Sequence, residues 1–390
     1  MMSTIGRDAV IVEAVRTPVG RGHREKGDLR DVHPADLLGR VYVEVLRRAG
    51  VDPEAVDNVI SGCVYQIGEQ SAGISRSAWL QKGLPETTGA TTVDIRCGSG
   101  QQAVHFAALK IAAGIDDVVV GAGVEHMGRV GFAVNESAQQ QWGRGFTPEL
   151  LERYDLVPQG VGAEMIADQY AITREEMDEL SLRSHQLAHR ATTEDAFARE
   201  ILPIETNGRT VVSDQGIRPD TTLEKLAALK AVYREDGRVT AGNSSQVSDG
   251  AAAVLLMARE RAEAFGLRSR ARVLDQVVLG VDPVTMLSGP IPATARILER
   301  NGLKIGDLDV IEINEAFASV VLAWERVHQP DMDRVNPRGG AIALGHPLGS
   351  TGARLLTTLV HELEDFDGTL GLVTMCCGGG LGTATLIERL

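Results

Sequence analysis

Two related α/β halves, interrupted by an insertion of helices and loops, are the architecture that the sequence predicts, on three observations. Apolar runs of strand length alternate with helical patterns at both ends of the chain. Three features of the first third return at one offset. "RRAGVDPEAVDNVISG" around Gly50 comes back as "ERNGLKIGDLDVIEIN" around Gly302, 252 residues on, and a helix start near Gly98 comes back near Ser350 at the same offset. The apolar run 117–121 has its counterpart at 370–374 at nearly the same spacing. A common offset of this kind marks a duplicated unit. Between the copies, 124–239 is polar and charged and carries helical patterns. The expected division is a first half from 1–123 and 240–270, an insertion over 124–239, and a second half over 271–390.

Taken in order, the chain opens with an apolar strand at 9–15 and a helix over 34–49 that Gly50 closes. A strand at 59–64, a short strand near Thr92, a helix over 98–113 and a buried strand at 117–121 complete the first copy. In the insertion, Thr173 precedes Glu176 by three residues, the spacing of a capping box at a helix start. "VTAGNSSQVSDGAAAVLLMARERAEAFG" then leads back into the first half, and the second copy follows.

Composition narrows the function. A net charge of −14 argues against a general nucleic-acid surface, and it requires any polyanionic ligand to find a local basic patch. No apolar run reaches the roughly 20 residues that span a bilayer. The opening "MMSTIGRDAV" has no basic segment followed by an apolar one, so the sequence reads as cytoplasmic. Its four cysteines fit neither a zinc site nor a secreted disulfide framework, and no metal is expected. In a reducing compartment they remain free for chemistry.

Four segments can carry that chemistry. Cys97 stands where a strand gives way to a helix, and unpaired N–H groups and the helix dipole there favour thiolate. A buried core cysteine is the equal alternative. "NPRGGAIALGHPLGSTGARLL" sets His346 in a glycine-rich turn before a helix, as a base or thiolate partner. The alternative is a phosphate-cradling loop, although neither GxxxxGK[ST] nor GxGxxG occurs there. "TMCCGGGLGTA" puts Cys376 and Cys377 at a strand end before glycines whose N–H groups can bind an oxyanion, unless the pair is a dithiol for metal or redox work. Asn314 and Glu315 in "EINEAFAS" mark a strand-to-helix junction, as functional groups or as an N-cap pair.

Together these segments resemble the thiolase family over nearly the whole chain, through "CGSG" at Cys97, "AGNSSQVSDGAAA" at 241–253, "NEAFA" at 314–318, "GGAIALGHPLGSTGAR" at 339–354 and "CCGGG" at 376–380. The resemblance implies a five-layer α-β-α-β-α core of two halves, with a loop domain covering a coenzyme A site. It implies Cys97 as the acylated nucleophile, His346 as its activator, and Asn314 as holder of a water in the same oxyanion hole. Cys376 becomes the acid/base, and Cys377 stands where a small apolar residue is usual. N–H groups of Cys97 and Gly378 form a second oxyanion hole, and Ser245 and Arg218 contact coenzyme A. Coenzyme A is then a co-substrate, with no permanently bound cofactor, and the assembly a homodimer or homotetramer.

Departures from the family pattern are Asp94, where Asn is common, Gln159 in place of Met, and Pro158 in place of a His found in short-chain biosynthetic members. "GEQSAGISRSAWLQKGLPETTGATTVD" is most similar to actinobacterial thiolases of sterol side-chain degradation. The expectation is a degradative 3-ketoacyl-CoA thiolase for bulky, steroid-linked substrates. Its alternatives are a biosynthetic acetyl-CoA acetyltransferase and an acyl-CoA-binding scaffold without turnover.

Overall fold

A computed structural model describes residues 6–390, so the first five residues of the opening segment lie outside it. The first half comprises β1 (Ala9–Arg16), α1 (Pro34–Ala49), β2 (Asn58–Gly62), α2 (Ile74–Gln81), β3 (Gly89–Val93), α3 (Ser99–Ala112) and β4 (Val118–His126). The insertion carries α4 (Phe132–Trp142), α5 (Pro148–Arg153), α6 (Gln159–Gln169) and α7 (Arg174–Thr193), and β5 (Ser248–Ala258) returns to the first sheet. The second half holds β6 (Ala271–Gly280), α8 (Pro290–Asn301), β7 (Val310–Ile313), α9 (Ala318–His328), α10 (Leu348–Asp365), β8 (Leu370–Cys377) and β9 (Leu381–Arg389).

Local chemistry accounts for the helix ends. His33 caps α1 by accepting the Ala35 N–H, Pro34 takes the first helical position, and Gly50 closes it at φ 68°. Gly302 ends α8 in the same left-handed conformation, at φ 65°. Thr173 and Glu176 form both bonds of the capping box at α7. One expected boundary needs correction. Strand β4 runs on to His126, so the division at 123/124 falls inside it, and Val124, Glu125 and His126 are buried in the sheet. The charged pair Glu125–His126 resembles insertion sequence, but nine consecutive buried positions show that neighbouring elements cover it on every side.

The duplication is explicit in the hydrogen-bond ladders. In the first half β2 runs parallel to β4, β4 antiparallel to β5, and β5 antiparallel to β1. In the second half β7 runs parallel to β8, β8 antiparallel to β9, and β9 antiparallel to β6. Asn58 pairs with Val119 as Val310 pairs with Gly371, so the 252-residue offset is kept in register. The two sheets meet where β1 pairs antiparallel with β6, Val10 with Arg272 and Ile11 with Ala271.

Three buried clusters separate five layers. Leu37, Val41, Tyr42 and Val45 of α1 and Trp79 of α2 cover Val59, Val120 and Leu255 on one outer face. Ile297 of α8 and Val320 and Trp324 of α9 cover Ile311, Leu372 and Leu386 on the other. Between the sheets, α3 and α10 pack Val104, Ile111, Leu355, Leu359 and Leu363 against both inner faces. No helix among the described residues is long and apolar enough to cross a membrane.

Glycines bring the two central helices into backbone contact. A methyl group on Gly352 of α10 would stand 2.2 Å from the Gln101 nitrogen of α3, and one on Gly123 of β4 would stand 2.1 Å from the Gly349 carbonyl oxygen, so β4 also presses on the start of α10. Gly62 of β2 and Gly100 of α3 both face that same Gly349 carbonyl oxygen, each at 2.7 Å from an added methyl group. Both helix N-termini are thus forced to one spot. Gly123→Ala is expected to destabilise the protein by about 1–3 kcal/mol through overpacking. A denaturation midpoint equal to that of the wild type would show instead that α10 can move off β4 without cost.

Candidate active site

Cys97 immediately precedes α3 and follows Arg96, whose φ of 60° lies in the left-handed region that a side chain rarely adopts. Local polar groups hold that turn. Asp94 Oδ1 accepts the Arg96 N–H at 2.7 Å, and Ser99 Oγ accepts the Ile95 N–H at 3.0 Å while donating to the Arg96 carbonyl. The Cys97 thiol is buried and faces two donors, its own N–H and that of Gly378. Burial nevertheless dominates and pushes the thiol up to about 11; Glu125 adds to the rise, and the two N–H groups and Arg96 oppose it. Loss of hydration thus works against the thiolate that the helix start favours.

His346 lies just ahead of α10, whose N-cap is Pro347. Its backbone N–H reaches Ser248 Oγ at 3.1 Å and the Gln246 carbonyl at 3.2 Å, which tie the turn to β5. The side chain is more tightly specified. Nδ1 lies 2.6 Å from Thr351 Oγ1, and the Thr351 hydroxyl donates to the Pro347 carbonyl at 2.8 Å. With its hydrogen committed there, Thr351 accepts, so His346 carries its proton on Nδ1 and leaves Nε2 as a lone pair. Burial lowers this imidazole to about 3, with Arg354 contributing, and keeps it neutral at ordinary pH.

Asn314 directs Nδ2 at His346 Nε2 over 3.4 Å, a long contact, and its buried Oδ1 has no partner among the described residues. Neither Asn314 nor Glu315 is an N-cap, since α9 starts at Ala318 with Phe317 in that position. Glu315 instead receives Ser184 Oγ, Asn336 Nδ2 and the Ile342 N–H, and so braces the turn that leads to His346.

The adjacent thiols at the end of β8 separate onto two faces. Cys376 joins the outer cluster with Ala316 and Phe317, both of which line the cleft beside His346. Cys377 joins the central cluster and sits under the start of α3, where a methyl group on Gly98 would meet its Sγ at 2.7 Å. Burial raises both thiols, and each is also raised by the neighbouring Cys97. Gly379 and Gly380, at φ 83° and 78°, make the turn that presents the Gly378 N–H.

The cleft has a volume of about 340 Å³, and Met127, Gln159, Tyr233, Ser245 and His346 are among its walls. The structure thus brings Cys97, Gly378 and both neighbouring thiols, Cys376 and Cys377, together, with Cys97 and Cys377 in one buried cluster, and sets His346, Asn314 and Ser245 at the adjoining wall. Arg218 is not part of that wall. It lies on an exposed loop two residues beyond Gly216, which packs against Gln246. A larger cavity of about 770 Å³ lies elsewhere, where Arg48, Arg199 and Arg270 are already paired with Glu44, Glu364 and Glu13.

Two supporting residues do not stand out in the sequence. Thr351 is one, and its only signal is its place in the first turn of α10, five residues after the histidine. Glu125 is the other. Its carboxyl accepts the N–H groups of Val64, Tyr65 and Gly349 and the amide of Gln70, joining β4 to the start of α10. Burial raises it to about 7. A carboxylate in an apolar strand is the signal that could have found it.

Fold and site together define a class, the acyltransferases built on two fused α/β halves with thiols at their junction. The family description "Thiolase, N-terminal domain" matches residues 9–260, and "Thiolase, C-terminal domain" matches 267–389. The chain belongs to the thiolase family. It is 45% identical over 391 residues to the steroid 3-ketoacyl-CoA thiolase FadA6 of Mycobacterium tuberculosis, covering 98% of this chain and 94% of that protein. It is also 45% identical over 396 residues to a 3-ketoacyl-CoA thiolase of Shewanella baltica, covering 98% and 100%. Among solved structures, the acetyl-CoA acetyltransferase of Bacillus anthracis superposes with a TM-score of 0.91 at 40% identity, over the full length of both chains.

Proposed function

We propose that this protein is a degradative 3-ketoacyl-CoA thiolase for bulky acyl chains of the steroid side-chain kind, with coenzyme A as co-substrate. The observation that carries the chemistry is the Cys97 thiol beneath two N–H groups, with Cys376 beside it and a Nδ1-protonated His346 at the adjoining wall. Cys97 gives its proton to His346 Nε2 as its sulfur attacks the ketone carbon. The oxygen that becomes negative accepts hydrogen bonds from the Cys97 and Gly378 N–H groups. The Cα–Cβ bond then breaks, its electron pair goes to the α-carbon, and Cys376 supplies the proton that releases acetyl-CoA or propionyl-CoA. A second coenzyme A takes the shortened acyl group from Cys97. The covalent intermediate divides one difficult step into two easier ones. Asn314, with its free Oδ1, holds a water beside His346 for the thioester oxygen. Ser245 lines the pantetheine path, and Arg218 meets the phosphates at its mouth.

The steroid and 3-ketoacyl relatives support the degradative direction, and Gln159 and Pro158 set the acyl wall apart from the short-chain biosynthetic pattern. The unpaired outer edge of β3 is available to a second copy, in keeping with a cytoplasmic homodimer or homotetramer. Steady-state thiolysis across ketoacyl-CoAs of graded size tests the substrate. We expect kcat/KM to rise from acetoacetyl-CoA to the bulky steroid-linked substrates, and a strong preference for acetoacetyl-CoA would favour the biosynthetic reading that the Bacillus anthracis structure represents.

A further inference from the structure

Gln159 opens α6 directly after Pro158 and forms part of the cleft wall. Its carboxamide stands over the glycine loop, since a methyl group on Gly378 would lie 2.3 Å from Gln159 Nε2. Gly378 is also the residue whose N–H faces the Cys97 thiol. The other amide at this wall is not free to act. Gln246 Nε2 is held by the carbonyls of Gly216, Ile342 and Ala343. The Gln159 amide, by contrast, has no hydrogen-bond partner among the described residues, and the residue is half-buried. Two N–H donors are therefore left beside the α-carbon of Gly378. Glycine at 378 is what admits them, because any side chain there would displace the amide.

We propose that Gln159 is a catalytic residue of this site, its Nε2–H acting as a third donor to the oxygen that becomes negative when Cys97 is attached to the acyl carbon. This inference rests on the acyl-transfer reading above. As the sulfur–carbon bond forms, the carbonyl π pair moves onto oxygen, and Gln159 shares that charge with the N–H groups of Cys97 and Gly378. When the Cα–Cβ bond breaks, the pair on oxygen re-forms the carbonyl and the proton comes from Cys376. Gln159 donates a hydrogen bond throughout and transfers no proton. The same contact operates when coenzyme A attacks the acyl-cysteine. A methionine at this position would offer the oxygen no donor.

The test compares wild type, Gln159→Met and Gln159→Glu in thiolysis of acetoacetyl-CoA and a larger ketoacyl-CoA, with intact-mass detection of acyl-Cys97. Losing one of three donors is expected to lower kcat about 10²-fold in Gln159→Met, with the KM for coenzyme A unchanged and the adduct still formed. Gln159→Glu keeps the shape but, once ionised, has no N–H. Its kcat should fall further at a pH of about 8 and recover as the pH drops through the carboxyl's titration, a limb absent from the wild type. The pH limb decides the matter if the Met variant disturbs the loop. Unchanged kcat in both variants, or a change confined to KM, would overturn the proposal and leave Gln159 as a chain-binding contact. If wild type forms no acyl-Cys97 at all, it is the acyl-transfer reading that fails.

Discussion

Cys376→Ser is expected to lower thiolysis of a 3-ketoacyl-CoA by about 10³-fold, the scale of a lost general acid, while Cys97 remains open to acylation by a simple acyl-CoA. The difference lies in the leaving groups. A simple thioester expels a thiolate, which needs no proton, whereas carbon–carbon cleavage expels an enolate carbon that does. Serine is too weak an acid to supply it. Cys377→Val is expected to keep kcat within a few-fold, because Cys377, although it shares the central cluster with Cys97, lies on the face of β8 opposite to Cys376 and to the cleft-lining Ala316 and Phe317. Steady-state thiolysis and intact mass, run on both variants, read the two steps apart. An active Cys376→Ser enzyme together with an inactive Cys377→Val enzyme would reverse the assignment.

The second large effect concerns the imidazole. His346→Ala removes the base and should cost about 10³-fold in kcat. Thr351→Val should cost roughly ten- to a hundredfold, as for other residues that orient a functional histidine. Valine fills the space of threonine but accepts nothing from Nδ1–H, so the ring is free to turn or to move its proton to Nε2. A nitrogen shift measurement on labelled histidine would report that change directly. Full activity in Thr351→Val would mean that burial alone holds the ring.

Much of the architecture is legible in the sequence because the duplication repeats it. The helix over 34–49 can be read to the residue, since proline starts it and glycine ends it. Strand β4 reads too short because Glu125 and His126 resemble surface sequence, and only the tertiary environment shows four donors waiting for that carboxyl. The identities at the site are legible from motif chemistry. The ionisation of Cys97 is not, because local sequence shows a helix start but not the depth of burial around it. Thr351 escapes for a similar reason: a threonine within a helix pattern gives no sign of which ring it will face.

The antiparallel seam between β1 and β6 joins strands that hold equivalent places in the two halves. Equivalent strands pairing head to tail are related by a local two-fold axis, as in a dimer of identical subunits. The molecule is in that sense a pseudo-symmetric pair fused into one chain, and its chemistry lies near the axis. Symmetry would furnish two sites there, yet the 252-residue offset matches Cys97 with Gly349, Asn314 with Gly62 and Cys376 with Val124. At each pair one half keeps a reactive group and the other a small or apolar side chain. A side chain at position 349 would run into the Val124 carbonyl oxygen at 2.5 Å and the Cys63 Cα at 2.7 Å, so a second thiol there would have no room. Asymmetry at the centre of a symmetric frame is what allows a single working site.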